Sequence, residues 1–174
     1  MALVTEDGTG LADAESYGSL TAANTYWTQR TGTKAATRWA AATDPKKEAA
    51  LRAATEWLDA RYYFRGAILK TSQALAWPRT SVIDSEGRAT SALPLQIVRA
   101  TFQLAAEHLR RPLDEVLDRG GQIASQSVAG VVSVAYETGA PAERTFAFVD
   151  GLLADLIEGL RAGAGRDSVQ MELV

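Results

Sequence analysis

Apolar residues recur along this chain at helical spacing in four stretches and at strand spacing in one. The clearest helical stretch follows Asp44-Pro45, where Leu51, Ala54, Leu58 and Tyr62 fall three or four residues apart and Ala50, Ala53 and Trp57 widen the stripe. That spacing places them on one face of an α-helix. Asp44 is a good N-cap, and Pro45 suits the first helical position, where its missing N–H costs nothing. With Gly66 as the stop, the pattern predicts a helix over 45–64. An earlier helix is predicted from a Ser19 cap through Leu20, Ala23 and Trp27, ending at Gly32, with a further short turn at 39–42. A third starts at Pro94, buries Leu95, Val98, Phe102, Ala105 and Leu109, and turns Gln96, Arg99, Gln103, Glu107 and Arg110 outward. Pro112 ends it or restarts a short helix over 113–117. The last is predicted from Thr145 to Arg161, with Val149, Leu152, Leu153, Leu156 and Leu160 on its apolar face.

The intervening segments have other textures. Residues 1–17 read as irregular, and Glu6-Asp7-Gly8-Thr9-Gly10 is turn chemistry. Residues 65–93 read as a loop; Pro78 drives Trp77 out of the helical region, and the indole is expected to pack down and anchor the loop. Val132, Val134 and Tyr136 alternate with Ser133 and Ala135, so 122–136 is expected to form a hairpin turning at Ala129-Gly130. The fold class expected is mainly α: a compact bundle of about four helices with a small β-hairpin and extended termini. Residues 1–165 make one domain, and 166–174 a flexible C-terminal tail.

Composition narrows the function classes. The chain has 174 residues, 47% of them hydrophobic, enough to bury a core in one domain. It has no cysteine, which excludes disulfides and thiolate metal sites. Its start carries neither a basic region nor an apolar stretch of the signal-peptide kind. The net charge is −3, without the bulk basicity of a protein dedicated to phosphate contacts. Of 18 basic residues only Lys34, Lys46, Lys47 and Lys70 are lysines; arginine suits planar contacts at interfaces.

Catalytic constellations are missing. His108 is the single histidine, and its neighbour Glu107 points away from it on a helix. No nucleophile elbow, phosphate loop or Rossmann fingerprint occurs. Asp84, Glu86 and Gly87 lack the ligand spacing of a calcium loop. The expectation is a protein that is not an enzyme and has no cofactor and no metal. Aromatic residues interleaved with arginines do occur, the pattern used to grip single strands by stacking and charge. Arg61, Tyr63, Phe64, Arg65, Trp77 and Arg79 are the candidate DNA-binding residues on that reading.

Three blocks carry a family resemblance: the opening from Ala2-Leu3-Val4 to Ser16-Tyr17, the helix containing Ala53-Ala54-Thr55-Glu56-Trp57-Leu58-Asp59-Ala60-Arg61-Tyr62, and Gln73-Ala74-Leu75-Ala76-Trp77-Pro78-Arg79-Thr80. Over the first two thirds of its length the chain resembles phage head–tail connectors, also called adaptors or head completion proteins, whose members are often labelled DnaT-like single-stranded-DNA-binding proteins. The resemblance implies a structural subunit of the tailed-phage neck, made in the host cytoplasm and located in the virion. It implies a dodecameric ring of identical copies joining the portal protein to a downstream neck or tail protein, with DNA passing through without specific binding. No membrane is implied. On that reading Val131, Val132, Val134 and Tyr136 of the ribbon and Arg166, Met171, Leu173 and Val174 of the tail are the interface candidates. The alternative is a single-stranded-DNA-binding accessory protein using the six residues named above.

Overall fold

A computed structural model describes residues 2–114, 123–127, 133–136 and 145–161, the second and third of these as backbone only. Among them are five helices: α1 (Leu20–Thr28), α2 (Lys34–Ala41), α3 (Asp44–Arg61), α4 (Leu95–His108) and α5 (Ala147–Leu153). Three antiparallel two-stranded pairs accompany them: β1 (Tyr62–Phe64) with β6 (Ile157–Leu160), β2 (Ala67–Ile68) with β3 (Arg79–Thr80), and β4 (Ile123–Ser127) with β5 (Ser133–Tyr136). The protein is therefore mainly α with a small hairpin.

The helix starts follow local chemistry. The Ser19 side chain accepts a hydrogen bond from the Ala22 N–H, and the Thr33 side chain does the same for Ala36, so both helices open on a capped first turn. The short turn expected at 39–42 belongs to α2, which Thr33 starts well before Trp39. Thr43 rather than Asp44 occupies the N-cap position of α3, without a side-chain capping hydrogen bond, and Asp44 is its first helical residue. It stops at Arg61, three residues short of the expected Phe64, and Tyr62–Phe64 becomes a strand instead. Gly66, at φ +74°, turns the chain away from β1; a Cβ there would lie 2.2 Å from the Thr80 carbonyl oxygen of β3.

α3 and α4 form the centre. Leu51, Ala54, Leu58 and Tyr62 are all buried, as the periodicity of α3 requires. α4 differs from its expected face. Leu95 is 56% exposed, while Ile97, Ala100, Thr101 and Leu104 join Phe102 and Ala105 in the core. α4 packs against α2, α3 and α5, so its buried side is broader than one stripe and centred elsewhere. Trp39, Trp77, Tyr17, Leu153 and Leu156 are further large side chains fully buried in this core.

The last helix is shorter than the leucine spacing suggests. α5 ends at Leu153, and 157–160 is the strand β6, pairing Tyr62 with Leu160, Tyr63 with Gly159 and Phe64 with Ile157. The expected ribbon is present as β4–β5, with Gln126 opposite Val134 and Ile123 opposite Tyr136. The turn at Ala129-Gly130, the candidates Val131 and Val132, the short helix at 113–117 beyond Asp114, and Arg166, Met171, Leu173 and Val174 lie outside the described residues. No described helix is long and apolar enough to cross a membrane.

Candidate nucleic-acid interface

The six aromatic and arginine candidates divide sharply once placed on the fold. β1 follows α3 with no loop, so Tyr62, Tyr63 and Phe64 alternate in, out, in. Phe64 is 5% exposed, its ring 6.1 Å from Tyr62 and 5.9 Å from Trp77. Trp77 is fully buried. Arg61 is buried too, with its guanidinium 5.0 Å from the Trp57 ring and 5.8 Å from that of Tyr62. These three cannot offer a face to a base, and their assignment to a DNA surface is corrected: they are core.

Tyr63 behaves oppositely. It is 50% exposed, and the Arg161 guanidinium sits 4.9 Å from its ring centroid. Arg161, which follows β6, is tied down by its Nε donating to the Tyr62 carbonyl at 3.1 Å and its backbone N–H donating to the Arg61 carbonyl at 2.8 Å. Arg65 is exposed; its Nε donates to the Ile157 carbonyl at 3.1 Å. β1 and β6 therefore hold one exposed tyrosine among arginines from two distant parts of the chain. Sequence reasoning misses Arg161, because the leucine spacing places it at the end of a helix.

Arg79 is a clamp. Its Nε and Nη2 donate to the carbonyls of Arg65 and Gly66, each at 2.7 Å, and Nη1 donates to the Ala76 carbonyl at 3.2 Å. Burial lowers its pKa, and the like charge of Arg161 adds to this against the carboxylates of Glu158 and Asp59. Three of its five N–H donors are committed to backbone carbonyls, so it holds the turn that carries Arg65.

Behind this edge lies a buried polar network. Asp59 accepts from the Tyr17 hydroxyl and from the Ala76 N–H, and the Tyr17 oxygen in turn accepts from the Trp77 backbone N–H at 3.1 Å. Burial raises the Asp59 carboxyl above its ordinary value and pushes the Tyr17 phenol up well beyond its own. The network locks the Trp77 loop onto α3, which is the anchoring role expected of that residue.

Elsewhere the chemistry is structural. The N–H groups of Gly8, Gly10 and Leu11 all donate to the buried Glu6 carboxylate, so this glycine-rich turn has no free cradle for phosphate. His108 is half-buried beside a cavity of about 270 Å³ lined by Glu56, Trp57, Leu113 and Asp114, and burial lowers its pKa. No cluster of His, Asp and Glu able to hold a metal occurs among the described residues. Trp57 is half-buried rather than core, its ring edge-on to Tyr62 and Phe146.

A family model described as "Putative DnaT-like ssDNA binding protein" matches residues 1–174. No curated protein and no solved structure matches the chain.

Proposed function

We propose, from the premise that this chain belongs to the DnaT-like single-stranded-DNA-binding family, that it binds single-stranded DNA without catalysis through the edge formed by β1 and β6. One observation carries the reading: Tyr63 is half exposed with Arg161 over its ring and Arg65 beside it on the neighbouring backbone. An exposed aromatic face stacks any base, and flanking guanidiniums meet the phosphates. Because the chain is acidic overall, binding is confined to this local charge and is strongly salt-dependent. Titrating a fluorescent oligothymidylate at low salt tests it. Binding that weakens with Tyr63→Ala and with Arg161→Ala supports the edge; binding untouched by either removes it.

A second reading is a structural connector in the phage neck. The β4–β5 ribbon supports it: among the described residues it pairs with no third strand, and a lone pair of strands is marginal in water until a neighbour covers it. Exposed Phe148, Leu95 and Ile83 offer further apolar contact points. On this reading copies form a ring between the portal and the next neck or tail protein in the virion, closing by heterologous contacts. The sequence candidates Val131, Val132, Val134, Tyr136, Arg166, Met171, Leu173 and Val174 make those contacts on this reading. Electron microscopy of the protein mixed with the portal of its own gene cluster decides this reading: a ring capping the portal supports it, and separate particles contradict it.

A further inference from the structure

The β1–β6 pair carries one irregularity. Tyr63 lies opposite Gly159 and Phe64 opposite Ile157, so one step along β1 meets two along β6. Glu158 is the extra residue, a β-bulge in β6. A bulge interrupts the pairing and can re-aim a side chain, and bulges concentrate beside functional sites. Here the side chain on the bulge is a carboxylate. It is exposed, and it makes no hydrogen bond or ion pair among the described residues.

Its surroundings are basic. Segments 61–65 and 157–161, which hold the two strands, contain Arg61, Arg65 and Arg161 and a single acid, Glu158. Arg65 anchors on the residue just before it, through the Ile157 carbonyl at 3.1 Å, and Tyr63 pairs with the residue just after it, Gly159. The Glu158 carboxylate also acts on Arg79, favouring the charged guanidinium there. Asp59, the other carboxylate that acts on Arg79, is committed to the Tyr17 hydroxyl and the Ala76 N–H. Exposed charges interact over about 10 Å at 0.1 M salt, and neighbouring residues of a strand are only about 3.3 Å apart. A phosphate flanking a base stacked on the Tyr63 ring therefore falls inside the field of Glu158.

We infer that Glu158 is a built-in competitor for phosphate at the β1–β6 edge: the bulge holds one negative charge among the arginines, where it offsets their attraction and weakens the hold on single-stranded DNA. The inference rests on the single-stranded-DNA reading above and adds the residue that sets its strength. Tyr63 and the arginines supply the grip, and Glu158 limits it. Because the effect is electrostatic between exposed groups, it fades as salt rises.

The test is titration of an oligothymidylate across a salt series with the full chain, with Glu158→Gln and with Asp44→Asn. Glutamine keeps the shape of the exposed side chain and removes its charge. Asp44→Asn makes the same change in net charge at the far end of α3, 18 residues and about 27 Å of helix away from β1. Glu158→Gln is expected to tighten binding about two- to fivefold at low salt, the effect of one exposed charge contact. It is also expected to steepen the dependence of log affinity on log salt by up to about 0.7, the value for one further single-strand phosphate neutralised. Asp44→Asn is expected to leave affinity and slope nearly unchanged. Equal effects from the two substitutions trace the change to net charge and overturn the inference. Unchanged or weaker binding by Glu158→Gln, while Tyr63→Ala still lowers affinity, overturns it and leaves the edge standing. Absence of binding by both the unaltered protein and Glu158→Gln removes the edge and the inference together.

Discussion

The Trp77–Arg79 loop and the Tyr63–Arg161 edge are both an aromatic ring beside an arginine, and they do opposite things. Trp77 is fully buried and Arg79 spends its guanidinium on three backbone carbonyls, so this pair holds the loop to the body. Tyr63 is half exposed, with the Arg161 guanidinium 4.9 Å from its ring centroid. The difference comes from local geometry. Strand alternation turns Tyr63 outward between the buried Tyr62 and Phe64, whereas Trp77 lies over the Asp59–Tyr17 network that binds its backbone N–H. Aromatic–arginine texture is therefore available to a ligand only where the backbone leaves the ring in water.

The comparison can be broken most forcefully at Trp77. Trp77→Ala is expected to destabilise the protein by about 3–5 kcal/mol in urea unfolding, the range for emptying a large core site. Asp59→Ala strands the Tyr17 hydroxyl and the Ala76 N–H and is expected to cost about 1–3 kcal/mol, with faster hydrogen exchange at Ala76 as its signature. Tyr63→Ala reverses the pattern: stability is expected to stay within about 0.5 kcal/mol, while oligothymidylate binding weakens by about 1–3 kcal/mol, the worth of one stacking platform. The smallest effect is one of pH. The hydrogen bond from Arg52 holds the half-buried Glu15 carboxyl below its ordinary value of 4.5. A depressed folded-state value means that its support is complete above pH 4.5 and disappears as the pH falls through that lower value. Glu15→Gln is expected to flatten, slightly, the acid limb of a stability profile and to leave binding at the Tyr63 edge unchanged.

Much of the helical body is legible in the sequence because its signals are local. The α3 stripe and the Ser19 cap of α1 need only the spacing of nearby residues, and Trp77 before Pro78 reads correctly as a loop anchor. What spacing misses depends on partners far along the chain. Leu152, Leu156 and Leu160 keep helical spacing, yet 157–160 is a strand because β1, almost a hundred residues earlier, presents an edge to it. Tertiary pairing overrides local preference in this way. The same cause hides Arg161, the part of the candidate edge that comes from the far end of the chain, whereas the exposed Tyr63 and Arg65 are named by the sequence. Leu95 shows a second kind of miss: a single stripe does not describe a helix that packs on three neighbours. Of the six candidate DNA residues, Arg61, Phe64 and Trp77 are core because of the turn out of α3 and the polar network beneath the loop, neither of which is visible in spacing.

The most direct test is fluorescence anisotropy of a labelled oligothymidylate across a salt series, with the unaltered protein and with Arg65→Ala, Arg161→Ala. Binding at low salt, with a slope against log salt that falls by about 1.4 in the variant, is the result expected when two phosphates at the β1–β6 edge are no longer neutralised. No binding at low salt, or the same slope in both proteins, would contradict the assignment of this edge to single-stranded DNA.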